Sequence, residues 1–159
     1  MQPFLLDRLT DDSSDQSKES RDKNVFSPRQ VKESLMRDLA WLLNTPAPRA
    51  ADGLGAFPQV ESSVLNYGIP DLTGLTASAV PGSDLERSIL RAIQHFEPRM
   101  EKHSLTVRLL TGEESPGANV VALEIRGEVV ANPMPEPLYI QTEVDLETGQ
   151  YALKDRPNG

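Results

Sequence analysis

A chain of 159 residues with a net charge of −8 suits one ordinary domain and disfavours both nucleic-acid binding and docking on an anionic membrane surface. The absence of cysteine excludes disulfides, thiolate nucleophiles and cysteine-based zinc sites. No apolar run approaches the roughly 20 residues that span a bilayer, and residues 1–9 lack the pattern of a signal peptide, so we predict a cytoplasmic protein.

The chain begins with a short apolar patch followed by a polar stretch. Phe4, Leu5, Leu6 and Leu9 lie near helical spacing, but about one and a half turns cannot hold a helix alone, so the patch must dock on its own domain or on a partner. Residues 10–24 contain no large apolar side chain, which is typical of a flexible linker. We therefore divide the chain into an apolar hook and linker (1–24), one domain (25–155) and a tail (156–159).

The first strongly predicted helix begins at Ser27. Ser27 is a favourable N-cap, Pro28 suits the first helical position, and Gln30 completes a capping box. An apolar stripe at helical spacing follows, formed by Val31, Leu35, Leu39 and Leu42, with Met36 and Leu43 widening it. Asn44-Thr45-Pro46 should end this helix, and Trp41 lies at the margin of the stripe.

A second helix is predicted from Ser83, with Glu86 as the other half of a capping box. Its buried stripe is formed by Leu85, Ile89, Ile93 and Phe96. Between the two helices, residues 60–67 predict a short helix ended by Gly68. Residues 69–75 predict an irregular connection that packs on the core.

From residue 105 onward the apolar residues alternate, which is typical of strands. Strands are predicted around residues 105–110, 121–128, 138–144 and 151–153, separated by polar or proline-rich turns. Helices followed by a run of strands indicate an α+β fold. We expect a single domain in which the N-terminal helices pack on a small antiparallel sheet formed by the C-terminal half.

The run Glu97-Pro98-Arg99 stands where the helical pattern stops and the strand pattern starts. Pro98 lacks a backbone N–H and disfavours a helical conformation at Glu97. In an extended chain, Glu97 and Arg99 would lie on one face and project together from the junction. A carboxylate beside a guanidinium suits recognition of another chain, whereas the plainer alternative is a helix end with an exposed ion pair of little energetic value.

Catalytic chemistry has little support in the residue pattern. His95 and His103 do not have metal-binding spacing, and the sequence contains no phosphate-binding glycine loop or nucleophile elbow, so we predict neither a metal nor a cofactor. A glycosidase would need two carboxyl groups, for which Glu97 and Glu101 are the nearest candidates. Arg99 between them favours the charged carboxylate, the opposite of what a general acid requires.

Several segments together resemble a known family. Glu97-Pro98-Arg99 at a helix-to-strand junction is similar to the motif of the baseplate wedge family, which contractile phage tails and type VI secretion systems share. Three further segments resemble the type VI member of that family: Leu5-Leu6-Asp7-Arg8-Leu9, Leu42-Leu43-Asn44-Thr45 and the run SVLNYGIPDL at residues 63–72. The likeness spans most of the chain, from Phe4 to the last strand.

The resemblance implies a structural, cytoplasmic protein that is not an enzyme. Type VI members contact the wedge proteins TssF and TssG and help to start polymerisation of the contractile sheath of TssB and TssC. The family motif is thought to hold the protein within the wedge core, which would make Glu97, Pro98 and Arg99 partner-binding residues. Older labels call such proteins lysozyme-like, so a peptidoglycan hydrolase is one alternative and a generic acidic adaptor is another.

The late strands add a hypothesis about the sheath contact. Residues 120–130 and 138–144 belong to a small sheet that must have edges, and an open edge can pair with a strand of another chain. We therefore expect the C-terminal sheet to template the first sheath subunits by strand pairing. The sequence does not indicate which edge would pair, and a self-contained sheet with protected edges is the alternative.

Overall fold

The computed structural model describes residues 27–48, 57–61, 63–76, 79–80, 82–110, 119–130 and 135–155. The predicted hook and linker, the tail and the turn predicted between the first two strands lie outside these ranges. No helix within the described ranges is long and apolar enough to cross a membrane.

The described chain forms helices first and one antiparallel sheet afterwards. The elements are α1 (Pro28–Leu43), α2 (Pro58–Glu61), a 3₁₀ helix (Val64–Asn66), α3 (Gly82–Phe96), β1 (Thr106–Leu110), β2 (Val120–Val129), β3 (Glu136–Asp145) and β4 (Tyr151–Asp155). The strand order in the sheet is β1-β2-β3-β4, and each neighbouring pair is antiparallel. The predicted single-domain α+β fold is confirmed.

Helix α1 begins and ends as its sequence predicts. The Ser27 hydroxyl accepts from the Gln30 backbone N–H at 3.3 Å, and the Gln30 side chain accepts from the Ser27 backbone N–H at 2.9 Å. The two bonds form the predicted capping box, which satisfies two N–H groups that a helix start leaves without partners. The predicted apolar stripe is buried, whereas Trp41 is 52% exposed.

Helix α3 begins at Gly82, one residue before the predicted cap. Ser83 therefore lies inside the first turn, and the predicted capping box is wrong. The Glu86 carboxylate instead accepts from the backbone N–H of Leu109 in β1 at 2.7 Å. A backbone N–H that is shielded from water needs a hydrogen-bond partner, and Glu86 is that partner for Leu109. The two residues are far apart in the sequence, so local spacing could not predict this bond.

The connection between α1 and α3 differs from the prediction in its first part. Residues 60–67 form two short pieces, α2 and the 3₁₀ helix, because Ser63 ends one and caps the other by accepting from the Leu65 backbone N–H at 3.2 Å. The second part packs on the core as predicted, with Ile69 and Leu72 buried.

Backbone bonds hold this connection at the C-terminal end of α1. The Ile69 N–H donates to the Thr45 carbonyl at 3.0 Å, and the Ala47 N–H donates to the Ile69 carbonyl at 2.8 Å. Gly68 makes the close approach possible, because a Cβ at this position would lie 2.2 Å from the Thr45 carbonyl oxygen.

The core lies between α1, α3 and one face of the sheet. Its side chains with no solvent exposure include Leu35, Leu39, Ile89, Ile93, Leu123, Ile125, Ile140 and Val144. Burial of each such side chain contributes about 1.5–3 kcal/mol relative to an exposed one. This packing fixes where the end of α3 meets α1 and β2.

Strand β3 starts inside the segment that its prolines predict to be irregular. Pro137 pairs with Glu128 of β2. The alternation of antiparallel hydrogen bonds turns the nitrogen of Pro137 away from β2, so the missing N–H costs no bond between the strands. Proline at this register position is therefore compatible with the strand.

Candidate functional site

The Glu97-Pro98-Arg99 run forms a tight corner between α3 and the sheet. The Glu97 N–H still donates to the Ile93 carbonyl at 2.9 Å, and the Met100 N–H turns back to the Glu97 carbonyl at 3.2 Å. The Arg99 carbonyl accepts from the Val130 N–H at 2.7 Å. The chain thus turns sharply after α3 and is held against the end of β2.

Glu97 and Arg99 lie on the same side of this corner, but that side faces the protein interior. The Arg99 Nε donates to Glu97 Oε1 at 2.6 Å, and a second nitrogen of the same guanidinium donates to Glu97 Oε2. Each side chain is only 5% exposed. The expectation that the two charged groups project from the junction is therefore wrong, whereas Pro98 between them is exposed.

Helix α1 supplies two further partners of the Arg99 guanidinium. Its Nη1 donates to the Ser34 hydroxyl at 3.1 Å, and its Nη2 donates to the Asp38 carboxylate at 2.5 Å. Burial alone would lower the pKa of Arg99, but the hydrogen bonds and charges of Glu97 and Asp38 outweigh this effect and raise it. Arg99 is a permanent cation held by two carboxylates, and it ties α1 to the corner.

Ser34 and Asp38 are functional candidates that the sequence reasoning missed. Ser34 lies between Val31 and Leu35 on the buried side of α1 and is itself 6% exposed. A buried hydroxyl requires hydrogen-bond partners, and Asp38 follows it one helical turn later on the same face. The sequence could have indicated a buried polar contact here, because Ser34 and Asp38 lie beside an apolar stripe. It could not have identified Arg99 as their partner.

Tyr67, from the run at residues 63–72, lies beside the same corner. Its ring packs edge-to-face on Phe96, with ring centroids 5.1 Å apart. Burial raises the pKa of the Tyr67 phenol, and the negative charges of Asp38 and Glu97 raise it further. The run at residues 63–72 and the Glu97-Pro98-Arg99 motif, both quoted for the family resemblance, therefore lie side by side at the corner.

Side chains of α1 close to the buried ion pair are exposed to solvent, in contrast to the pair itself. Trp41 follows Asp38 by three residues on α1, so the two are neighbours on the helix. The Arg37 guanidinium lies 5.3 Å from the Trp41 ring centroid, within the range of a cation–π interaction. We call the group Arg37, Asp38, Trp41 and Pro98 the corner surface. An exposed aromatic, a guanidinium and a proline are side chains suited to a protein contact.

The carboxylates considered for catalysis are not arranged as an acid and a base. Both oxygens of Glu97 accept from Arg99, and Glu101 lies near the exposed His103, with 3.5 Å between His103 Nδ1 and Glu101 Oε2. His95 packs against Phe96. Among the described residues, no group of three or more His, Asp or Glu side chains could hold a metal ion.

Comparison with known families decides which class of protein this is. The family model of baseplate wedge protein gp25 matches residues 29–134, more than half of the chain. The chain belongs to the gp25 family. The gp25 match covers α1 from Arg29 onward, α3 and the whole corner, and TssE of type VI secretion systems belongs to the same family. Comparisons with curated proteins and with solved structures gave no significant match. Membership of the gp25 family gives this protein a structural role in a baseplate.

Proposed function

We propose that the protein is a cytoplasmic baseplate component of a type VI secretion system, equivalent to TssE. In this role it binds the wedge proteins TssF and TssG and helps to start the sheath of TssB and TssC. The family match over residues 29–134 is the observation that carries the proposal. The type VI assignment is supported by the resemblance of residues 63–72 and of the Leu42-Leu43-Asn44-Thr45 run to the type VI member. We propose residues 1–24 as a hook and linker and 25–155 as the baseplate domain.

The protein acts in this proposal without catalysis. A general acid must hold and release a proton at the substrate, whereas both oxygens of Glu97 are engaged by a buried guanidinium. A lysozyme-like reaction would also need a second carboxyl group within about 5–10 Å, facing the same bound sugar. Glu101 is the other carboxylate considered, and its half-exposed side chain lies near His103.

The Glu97-Pro98-Arg99 motif contributes to the wedge contact mainly from inside the fold. Arg99 joins the end of α3 to Ser34 and Asp38 of α1, and the exposed Pro98 is its neighbour in the chain. In this proposal Pro98, Trp41 and Arg37 touch the wedge partner, and the packed corner keeps them in register, a role that well-packed apolar side chains can take over from the ion pair. A rigid, pre-organised surface loses little conformational entropy on binding, which favours affinity.

The wedge contact is tested by capture of a purified TssF–TssG complex on the immobilised protein. We expect the wild type to bind and Pro98→Glu to weaken binding about tenfold or more, which corresponds to about 1.4 kcal/mol. Pro70→Glu places the same charge at another exposed proline and should bind like the wild type. No capture by the wild type, or turnover of peptidoglycan that Glu97→Gln abolishes, would reject the proposed role.

The sheet offers β1 and β4 as edges for the proposed sheath contact. Residues 120–130 and 138–144 lie in β2 and β3, which pair on both sides, so neither of the strands named in the sequence hypothesis is an edge. The outward N–H of Leu109 on β1 is already bound by Glu86. On β4, the side chain of Asn44 bonds both the N–H and the carbonyl of Tyr151.

The main-chain groups that point away from the sheet make the second half of β4 the better candidate for pairing with a sheath strand. The N–H and carbonyl of Tyr151 point away from β3, towards Asn44. Because main-chain groups alternate in direction along an antiparallel strand, the N–H and carbonyl of Leu153 and Asp155 also point away from β3. The Asp155 carboxylate contacts Lys32 of α1 at 2.8 Å, so the main-chain groups of Leu153 and Asp155 are the ones that we propose for pairing on this half of the strand. A sheath strand could extend the sheet there through main-chain hydrogen bonds.

A proline substitution distinguishes the two edges. Leu153→Pro removes an outward N–H without breaking a bond to β3, so the domain should fold while sheath initiation falls about tenfold or more. Val107→Pro makes the same change on the outward side of β1 and should leave initiation unchanged. Initiation is measured as sheath number per cell by fluorescence microscopy. Equal initiation by Leu153→Pro and the wild type would exclude strand pairing at β4.

A further inference from the structure

A cleft lies between the C-terminal end of α1, the connection between α1 and α3, and the turn that joins β3 to β4. Its volume is about 210 Å³, which is smaller than the roughly 300–1,000 Å³ of sites that enclose a whole small-molecule ligand. A cleft of this size suits one long side chain that belongs to another protein.

Backbone hydrogen bonds fix the walls of the cleft relative to one another. The Ile69 N–H donates to the Thr45 carbonyl at 3.0 Å, which joins the connection to the end of α1. The Gly74 N–H donates to the Leu146 carbonyl at 2.9 Å, which joins the connection to the turn after β3. The cleft is therefore formed before any ligand enters, so binding costs little ordering of the protein.

The charge of the cleft favours a cation. The Asp71 carboxylate lines it, and Asp71 Oδ1 accepts from the Thr73 N–H at 2.9 Å and from the Thr73 hydroxyl at 2.6 Å. Leu43, the last residue of α1, also lines the cleft, and a helix carries partial negative charge at its C-terminal end. Among the described residues, no lysine, arginine or histidine lines the cleft.

A buried phenol in the wall of the cleft points to a hydrogen-bonding ligand. Tyr151 lines the cleft and is 7% exposed, and its phenol oxygen has no hydrogen-bond partner among the described residues. Burial raises the pKa of this phenol, and the negative charge of Asp71 raises it further, so the phenol stays protonated. Buried polar side chains are normally paired, and the unpaired oxygen can accept from a donor that enters the cleft.

We propose that the cleft binds an arginine side chain of a partner protein. Buried Ile69 and Leu72 line it and can cover the methylene groups of the arginine. A guanidinium has five N–H donors in one plane, so it can donate to the Asp71 carboxylate and to the Tyr151 phenol oxygen together. The net charge of −8 also attracts a basic partner. This site depends on the cleft alone and not on the proposed wedge or sheath contacts.

The chemistry of the site is tested by NMR titration of the isotope-labelled full chain at constant ionic strength. Butylguanidinium is the charged probe, and butylurea is a neutral probe of the same shape. We expect butylguanidinium to shift the amide signals of Thr73, Thr148 and Gly149 with a Kd in the millimolar range, and butylurea to bind at least about fivefold more weakly. Equal affinities, or no saturable shift at these residues, would overturn the proposal.

Two charge variants separate the cleft from the overall charge of the protein. Asp71→Asn keeps an oxygen that can accept from Thr73 but removes the charge, so it should weaken butylguanidinium binding at least about fivefold. Asp84→Asn removes the same charge from a 67% exposed position on α3 and should leave the affinity within about twofold. Equal losses in the two variants would show attraction by net charge alone and would overturn the site.

Tyr151→Phe tests the role of the phenol. It should weaken butylguanidinium binding and leave the Tm at or above that of the wild type, because the phenol oxygen loses no partner. A lower Tm with unchanged binding would show that the phenol supports the fold and would overturn its place in the site.

A blocked glycine-arginine-glycine tripeptide distinguishes a protein partner from a free small cation. It should shift the same amide signals and bind at least as tightly as butylguanidinium. Exclusion of the tripeptide from a cleft that binds butylguanidinium would overturn the assignment to a protein partner.

Discussion

Arg99→Met should lower the free energy of unfolding by about 3–5 kcal/mol. The substitution leaves the Glu97 carboxylate, whose side chain is 5% exposed, without the cation that both of its oxygens contact. It also removes the link to Ser34 and Asp38 on α1. Urea denaturation followed by circular dichroism measures the loss. Arg99→Lys should lose most of the same energy, because lysine keeps the charge but lacks the planar set of donors.

An exposed ion pair in the same protein provides the control. Arg87 contacts Asp84 at 3.2 Å, with side chains 57% and 67% exposed, so Arg87→Met should change stability by no more than about 0.5 kcal/mol. Similar small losses for Arg87→Met and Arg99→Met would show that the buried pair does not support the fold. The double variant Glu97→Leu/Arg99→Met should recover most of the stability, because apolar residues can replace a buried ion pair at little cost.

Gly68→Ala should destabilise the protein by roughly 3 kcal/mol, combining left-handed backbone strain with a steric clash. Gly68 has a φ of +121°, and an added Cβ would lie 2.2 Å from the Thr45 carbonyl oxygen. That oxygen accepts the Ile69 N–H, so relief of the clash would break the contact that holds the connection on α1. Thermal and urea denaturation both measure this loss.

Gly74→Ala separates the cost of left-handed backbone strain from the cost of a steric clash. Gly74 also has a positive φ, of +80°, but an added Cβ would meet nothing within 4 Å. Its substitution should therefore cost only the backbone term, about 1–2 kcal/mol. Equal losses at the two glycines would mean that the close approach of Gly68 to Thr45 contributes nothing.

Local sequence patterns predicted the elements whose causes are local. The Ser27 cap with Gln30 and the stripe from Val31 to Leu42 identify α1, because capping and helical period act over a few residues. Alternating apolar residues identified the strands and their antiparallel sheet for the same reason. The family resemblance of the Glu97-Pro98-Arg99 corner was also readable, because it depends on residue order alone.

The predictions that were wrong depended on contacts between residues far apart in the sequence. The serine at 83 and the glutamate at 86 match a capping box, but the sheet places a strand N–H within reach of Glu86 and that bond forms instead. The direction of Glu97 and Arg99 depends on Ser34 and Asp38, more than 60 residues earlier. Period-two spacing predicted that the two side chains share a face, but only the position of α1 decides that this face is buried.

We propose that the charged pair acts within the fold, while Pro98 and its neighbours form the wedge contact. The most direct test is the affinity of Glu97→Leu/Arg99→Met for the TssF–TssG complex, measured by biolayer interferometry on protein shown to be folded by circular dichroism. We predict an affinity within about threefold of the wild type, a difference of less than 1 kcal/mol. A folded double variant that binds about tenfold more weakly would instead show that Glu97 and Arg99 contact the partner themselves.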